Sequence, residues 1–195
     1  MAFRTPNLGL EYGLRPLFRF SSRVLLAAFL FLAAQPFSKA DDLPASEASY
    51  RLRFFHTHTG KRLDIVYKHG DTYDPAALNV LNEFLRDHRT GDVHHYDPRL
   101  FDLLNDLTAS VGRAGAELNV ICGYRTPWSN QFLRTHTVGV ALHSLHMEAE
   151  AIDIRLPGFQ TSALRDAALA LHRGGVGYYA KSDFIHVDVG RVRRW

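Results

Sequence analysis

The eleven residues from Ser144 to Ile154, Ser-Leu-His-Met-Glu-Ala-Glu-Ala-Ile-Asp-Ile, carry an imidazole at His146 and a carboxylate at Asp153. A borderline nitrogen donor and a hard oxygen donor, joined by one more imidazole, make the three-ligand shell with one open position that suits a catalytic zinc. His186, in Phe184-Ile-His-Val-Asp188, is the candidate third ligand. Such a set supports hydrolysis by a metal-activated water.

Residues this far apart must be brought together by the elements that carry them. Side chains alternate along a strand, so if Ile152 and Ile154 face a core, Asp153 faces the other way, into a cleft or solvent. In the same manner Ile185, Val187 and Val189 share one face of a strand, and His186 and Asp188 share the other. His146 falls in the loop that enters the strand of Asp153. A surface strand also shows polar residues on one face for solubility alone. His56, His58, His69, His88, His94, His95, His136, His143 and His172 read as loop or surface histidines, with His143 the nearest rival to His146.

The remaining pattern predicts an α+β domain. Partial alternation over Tyr50 to Phe55 and Arg62 to Tyr67, separated by His56-Thr-His-Thr-Gly60, predicts a hairpin. Asp74-Pro75 and Asp97-Pro98 each combine an N-cap with a proline suited to the first helical turn. Apolar stripes follow both, one ending near His88 and one near Gly112 or Gly115. Leu118 to Cys122 reads as a buried strand, followed by a short helical stretch to Arg134. Ala151 to Leu156, Val176 to Tyr179 and Phe184 to Val189 read as strands, and Ser162 to His172 as a helix. Helices early and strands crowded late favour an antiparallel sheet with helices packed on one side.

Composition bounds the class of function. The chain has 195 residues, enough for a leader and one domain. Residues 1 to 40 read as a signal peptide: Arg4, Arg15, Arg19 and Arg23 precede the apolar run Val24 to Ala34, and Ser38-Lys39-Ala40 fits a cleavage site. No twin-arginine pair precedes the run, so the expectation is export to the periplasm by the general secretory route, with an uncleaved membrane anchor as the alternative. Residues 41 to 49 read as a flexible tether, and 50 to 195 as the domain. The leader holds five Lys/Arg and one Glu of the chain's 23 and 20, leaving 18 basic and 19 acidic residues and a formal net charge of −1. A domain so balanced has no basic footprint for nucleic acid. Cys122 is the single cysteine, so no intrachain disulfide can form, and it reads as a small buried hydrophobe.

Taken in order, the motifs resemble a known family. Cys122-Gly-Tyr-Arg-Thr-Pro127 with Asn130, Ser144-Leu-His146 through Ala151-Ile-Asp153 to Gly158, Gly174-Gly-Val-Gly-Tyr-Tyr179 and Phe184 to Asp188 carry the likeness. Together they resemble the YcbK-type (DUF882) branch of the M15 zinc peptidases. These are peptidoglycan endopeptidases and carboxypeptidases of the LAS group, related in fold to D-Ala-D-Ala dipeptidases and the hedgehog signalling domain. The resemblance spans roughly residues 50 to 195, and the ordered set is more specific than any one motif.

The resemblance implies one zinc ion held by His146, Asp153 and His186. It implies that Arg125 holds a substrate carbonyl or carboxylate and stabilises the tetrahedral oxygen, and that Ser144 is the serine just before the first ligand. Many LAS enzymes place a Glu or His general base three residues before the last ligand, where this chain has Asp183; Asp188 is the other candidate. Relatives carry glycine where this chain has Ala149, a difference that matters if φ there is positive. The implied activity is murein endopeptidase cleavage of the crosslinks between peptidoglycan peptide stems, and the expected state is a monomer. A carboxypeptidase and a non-catalytic zinc-stabilised binding module are the alternatives. Tyr124, Trp128, Tyr178 and Tyr179 could line a groove for a sugar-peptide polymer; Trp128, in a loop beside Arg125, is the best placed, while Tyr178 and Tyr179 suit a core or an edge strand equally well. The sequence does not place Trp195.

Overall fold

The computed structural model describes residues 48–137 and 139–195, so the expected leader and most of the expected tether lie outside the described residues. Eight strands form one sheet: β1 (Ser49–His56), β2 (Arg62–His69), β3 (Thr72–Tyr73), β4 (Glu117–Cys122), β5 (Ala151–Arg155), β6 (Gly175–Tyr179), β7 (Phe184–Asp188) and β8 (Arg193–Arg194). Their spatial order is β3-β2-β1-β4-β5-β7-β6-β8. Four helices accompany them: α1 (Pro75–Phe84), α2 (Pro98–Ser110), α3 (Pro127–His136) and α4 (Thr161–Ala170). Among the described residues no helix is long and apolar enough to cross a membrane.

The α+β class is as expected, but the sheet is mixed rather than wholly antiparallel. β4 lies parallel to β1, and β8 parallel to β6. Between β1 and β4 the chain passes through a hairpin and both early helices, and a crossover of that length permits a parallel return. Strands of two residues, such as β3 and β8, carry no readable alternation.

The helices begin where the capping residues dictate. Asp74 accepts from the backbone of Ala76 and Ala77, and Asp97 from that of Arg99, each ahead of a proline in the first turn. α1 stops at Phe84, short of the expected His88, and Leu85 closes it. Leu81 of α1, Leu100, Leu104 and Leu107 of α2, and Leu164 of α4 join one core with Leu52, Phe54, Val120, Ile152, Ile154, Ile185 and Val187 of the sheet. The face of the sheet that carries Asp153 and His186 meets the 3-10 helix at Leu145–Glu148, through His146, and the ring of Trp195, which follows the edge strand β8.

Two local features carry strain or an unpaired group. Ala149 closes the 3-10 helix at φ 52° and ψ 36°, in the left-handed region, and is fully buried. His56, expected to be a loop or surface residue, instead ends β1 and is 1% exposed. Its Nδ1 accepts from the backbone N–H of His58 at 3.3 Å, its ring meets Phe84 edge-on at 5.9 Å, and its Nε2 has no partner among the described residues. Burial, with the charges of His58 and Arg86, pushes its pKa down to about 4.

Both features predict measurable behaviour. The unfolded imidazole of His56 binds a proton near its ordinary pKa of 6.5, whereas the folded one waits until about 4, so acidification through that window favours unfolding. By about pH 5 the contribution is about 2 kcal/mol. His56→Phe is therefore expected to be more stable than wild type in urea titrations near pH 5 and to lose that advantage near pH 7.5. An equal shift at both values would exclude titration of this ring as the cause. At position 149, Ala149→Gly is expected to leave stability unchanged or raise it by up to about 1 kcal/mol, whereas Ala149→Val lowers it by about 2 kcal/mol or more. Thermal unfolding of both variants checks the pair.

Candidate metal centre

The middle of the sheet sets two of the three predicted ligands side by side. β5 and β7 pair antiparallel, with Asp153 directly opposite His186 and Ile152 and Ile154 opposite Val187 and Ile185. Facing residues share a side of the sheet, so the two isoleucines enter the core and Asp153 and His186 project together from the other face. β4 contributes a bulge: Val120 pairs with Ile154, but Cys122 pairs with Asp153. The extra residue between them moves Cys122 onto the face of Asp153, which simple alternation from Val120 would forbid.

His146 arrives from the 3-10 helix. Ser144 caps that helix, its side chain accepting from the His146 backbone N–H at 3.4 Å. The left-handed turn at Ala149 then leads the chain into β5. His146, Asp153 and His186 are all buried, at 1%, 6% and 6% exposure. The surface-strand alternative for Asp153 and His186 is therefore excluded.

Three atoms converge. His146 Nε2 lies 3.2 Å from Asp153 Oδ1 and 3.1 Å from His186 Nδ1, and His186 Nδ1 lies 3.0 Å from Asp153 Oδ1. The other nitrogen of each ring shows which tautomer is present. His146 Nδ1 faces the carbonyl oxygen of Gly123 at 2.8 Å, and a carbonyl only accepts, so the proton is on Nδ1. His186 Nε2 faces Asp188 Oδ2 at 3.0 Å, so its proton is on Nε2. With both rings neutral, three lone pairs would then meet with no proton between them.

That arrangement fits a cation. Ligands about 2.0–2.1 Å from one tetrahedral zinc stand about 3.3 Å from each other, close to the observed triangle. Imidazoles oriented from behind by a carboxylate or a backbone carbonyl are the usual support of such ligands. The ligand atoms of Cys122, His146 and Asp153 also lie within 4.8 Å of one another. The thiol is the less suited donor, because burial pushes its pKa up to about 11 and its sulfur already accepts from Arg125 Nε at 3.1 Å. Its place beside the ligands is something the sequence pattern alone did not reveal.

The surrounding charges follow from the same geometry. Burial lowers the His146 pKa to about 4, against the opposing pull of Asp153. Burial acts to raise the Asp153 pKa, but the two imidazoles overcome it and hold the carboxyl well below the usual carboxylate range. For His186, burial is outweighed by Asp153 and Asp188, and its pKa rises. In the absence of a cation, a proton on His186 is the available substitute.

The other predicted residues divide into those brought to the cluster and those left away from it. Arg125 is there: its guanidinium donates to Asp153 Oδ2 at 3.3 Å and to Asn130 Oδ1 at 3.4 Å, and it is 9% exposed. Asn130 in turn donates to the carbonyl of Ala141 at 3.0 Å, tying α3 to the loop before Ser144. Asp188 is there too, but behind His186 and fully buried. It accepts from Gly175 N–H at 2.8 Å, Gly190 N–H at 3.0 Å and both terminal nitrogens of Arg193 at 3.1 and 2.8 Å. A Cβ on Gly175 would collide with this carboxylate, so the close approach requires glycine.

Asp188 as general base is accordingly corrected: it holds the far nitrogen of His186 and does not face the converging lone pairs. Asp183, in a left-handed turn ahead of β7, directs its carboxylate to Thr161 Oγ1 and, at 3.0 Å, to Arg155 Nε. Ser144 is occupied as a cap. Trp128 is 61% exposed on the first turn of α3 and stacks on Phe132 at 5.6 Å, while Tyr124 is buried beside His94. Arg193 is the residue of this network that sequence reasoning missed; only its place in an arginine-rich run set it apart.

Comparison with known proteins places the chain in a family. Residues 44–195 match the family described as Peptidoglycan L,D-endopeptidase MepK. The chain is 41% identical over 144 residues to the "Probable peptidoglycan L,D-endopeptidase MepK" of Haemophilus influenzae, covering 74% of this chain and 77% of that protein. It is 38% identical over 138 residues to the Peptidoglycan L,D-endopeptidase MepK of Escherichia coli K12, covering 71% and 75%. No solved structure matches the chain. On the length and identity of these matches, the chain belongs to the MepK family of M15-type peptidases.

Proposed function

We propose that this peptidase is a zinc-dependent endopeptidase acting on peptidoglycan peptide crosslinks, with the L,D bond named for its relatives as the bond cut. The observation that carries the metal dependence is the convergence of His146 Nε2, Asp153 Oδ1 and His186 Nδ1, with the opposite nitrogen of each imidazole facing an oxygen acceptor. The charged, apolar leader read in residues 1 to 40 supports export to the periplasm, where this substrate lies.

When bound, zinc supplies Lewis acidity toward the scissile carbonyl and lowers the pKa of a coordinated water. The chain's own residues do the rest. Arg125 neutralises the Asp153 oxygen that faces away from the cluster, and its remaining N–H groups are available to a substrate oxygen as charge develops there. Asp188, with Arg193 behind it, fixes the tautomer and direction of His186. Of the two predicted general bases, Asp183 is the one not committed to His186; to accept the proton from water and return it to the departing amine, its carboxylate would have to leave Thr161 and Arg155 and turn toward the cluster.

The test is mass spectrometry of purified crosslinked muropeptides after incubation with the protein. Conversion of dimers to monomers is expected, with loss of activity on chelation and recovery on adding zinc. Loss of one terminal residue from intact dimers would instead mean a carboxypeptidase, and cleavage that survives thorough chelation would end the metal reading. Asp183→Asn is expected to retain zinc and lose about a hundredfold or more in turnover. Asp188→Asn is expected to weaken zinc binding by about 10–100-fold. Full turnover in Asp183→Asn would remove that residue from the chemistry.

A further inference from the structure

The C-terminal strand sets an aromatic ring against the candidate metal centre, and nothing in the scheme above uses it. β8 pairs with β6 so that Arg193 lies opposite Gly175 and Arg194 opposite Val176. Alternation then puts Arg193 and Trp195 on the face that carries His186. The Trp195 indole stands 5.1 Å from the His186 ring, inclined at 51°.

The ring is fixed from several directions. The backbone of Trp195 donates to Val176 O at 3.3 Å and accepts from Tyr178 N–H at 3.1 Å. Its indole Nε1–H donates to the Tyr179 hydroxyl at 3.0 Å, and the Arg193 guanidinium lies 5.0 Å over the ring. Beneath it is Gly177, where a Cβ would come within 2.7 Å of the indole. Tyr179 stacks on Phe184 at 4.6 Å and extends the aromatic wall. Despite these restraints Trp195 is 51% exposed. A ring placed for core packing alone would be buried; this one is held still with about half its surface facing solvent beside a predicted ligand.

We infer that Trp195 is a substrate-binding residue: its exposed indole face receives the aliphatic part of the peptide stem next to the bond that is cut. This rests on the hydrolase reading above. A rigid aromatic suits the task, because it offers a broad apolar surface and loses little conformational freedom when covered. Glycine at 177 is what lets the indole approach the sheet closely next to His186.

Two measurements test the inference. In the first, chelator-treated protein is titrated with a crosslinked muropeptide dimer while tryptophan emission is followed. A saturable change is expected in wild type and its loss in Trp195→Phe, which isolates Trp195 from Trp128, the second of the chain's two tryptophans. In the second, steady-state kinetics and zinc content are compared for Trp195→Ala, Trp195→Phe and Gly177→Ala. Trp195→Ala and Gly177→Ala are expected to raise KM about tenfold, with kcat within about threefold of wild type and zinc content unchanged. Trp195→Phe should recover most of the loss.

An emission signal from Trp195 that ignores the muropeptide overturns the inference, as does a wild-type KM in both Trp195→Ala and Gly177→Ala. A fall in zinc content without a rise in KM does so as well, since it marks a ring that only shields His186. If Trp195→Ala does not fold, Gly177→Ala and the emission titration decide. Failure of wild type to cleave any crosslinked muropeptide overturns the hydrolase reading, and the titration, which needs no turnover, still decides whether the ring meets the stem.

Discussion

Two imidazole nitrogens and a carboxylate oxygen aimed at one point, each side chain held from behind by its own partner, form the constraint on which this structure depends. Burying two imidazoles and a carboxylate is unfavourable unless each is matched by a partner. The fold provides those partners on the outside of the cluster: the Gly123 carbonyl for His146, Asp188 for His186 and Arg125 for Asp153. Each partner depends on a separate local device. Gly123 continues from the bulged end of β4, Asp188 is two residues beyond His186 on one strand, and Arg125 is fixed by its own contacts with Cys122 and Asn130. The inside of the cluster is thereby left as a set of acceptors.

Much of this was legible from period-two alternation. It assigns Ile152 and Ile154 to the core and Asp153 to the opposite face, and it separates His186 and Asp188 from Ile185 and Val187, as the β5–β7 register shows. Alternation gives the face but not what covers it. Asp153 and His186 are met on that face by His146 of the 3-10 helix, and His186 also by the ring of Trp195, and neither segment has a repeating pattern. Nor does alternation distinguish a ligand from its support. His186 and Asp188 share a face, yet the ring turns one nitrogen to the ion-pairing side and the other to the cluster, so Asp188 serves the far side. The bulge that moves Cys122 beside Asp153 breaks the very rule by which its position would have been read.

The early half of the chain was easier to read for local structure than for arrangement. Asp74-Pro75 and Asp97-Pro98 announce both helix starts because the cap and the missing N–H act within a single turn. The parallel pairing of β1 with β4 is decided by contacts 60 or so residues apart, such as Arg53 with Glu117, to which no local preference speaks. His56 illustrates the same limit. Its neighbours in sequence are turn residues, while its burial comes from Phe84 and from Val120 on the adjacent strand.

The charge balance around the cluster bears on how it would act with a divalent ion bound. Asp153 is matched by Arg125 and Asp188 by Arg193, so with neutral imidazoles the four charged groups cancel. An ion of charge two would then enter a pocket with no net negative charge left to offset it. The excess positive potential favours an anionic fourth ligand and stabilises negative charge developing on a substrate oxygen nearby. Protein carboxylates without cationic partners would hold the ion more tightly but would blunt that effect. With such an ion bound, the pairing of each buried carboxylate with its own arginine would give up some affinity for the ion in exchange for polarising strength toward a substrate carbonyl.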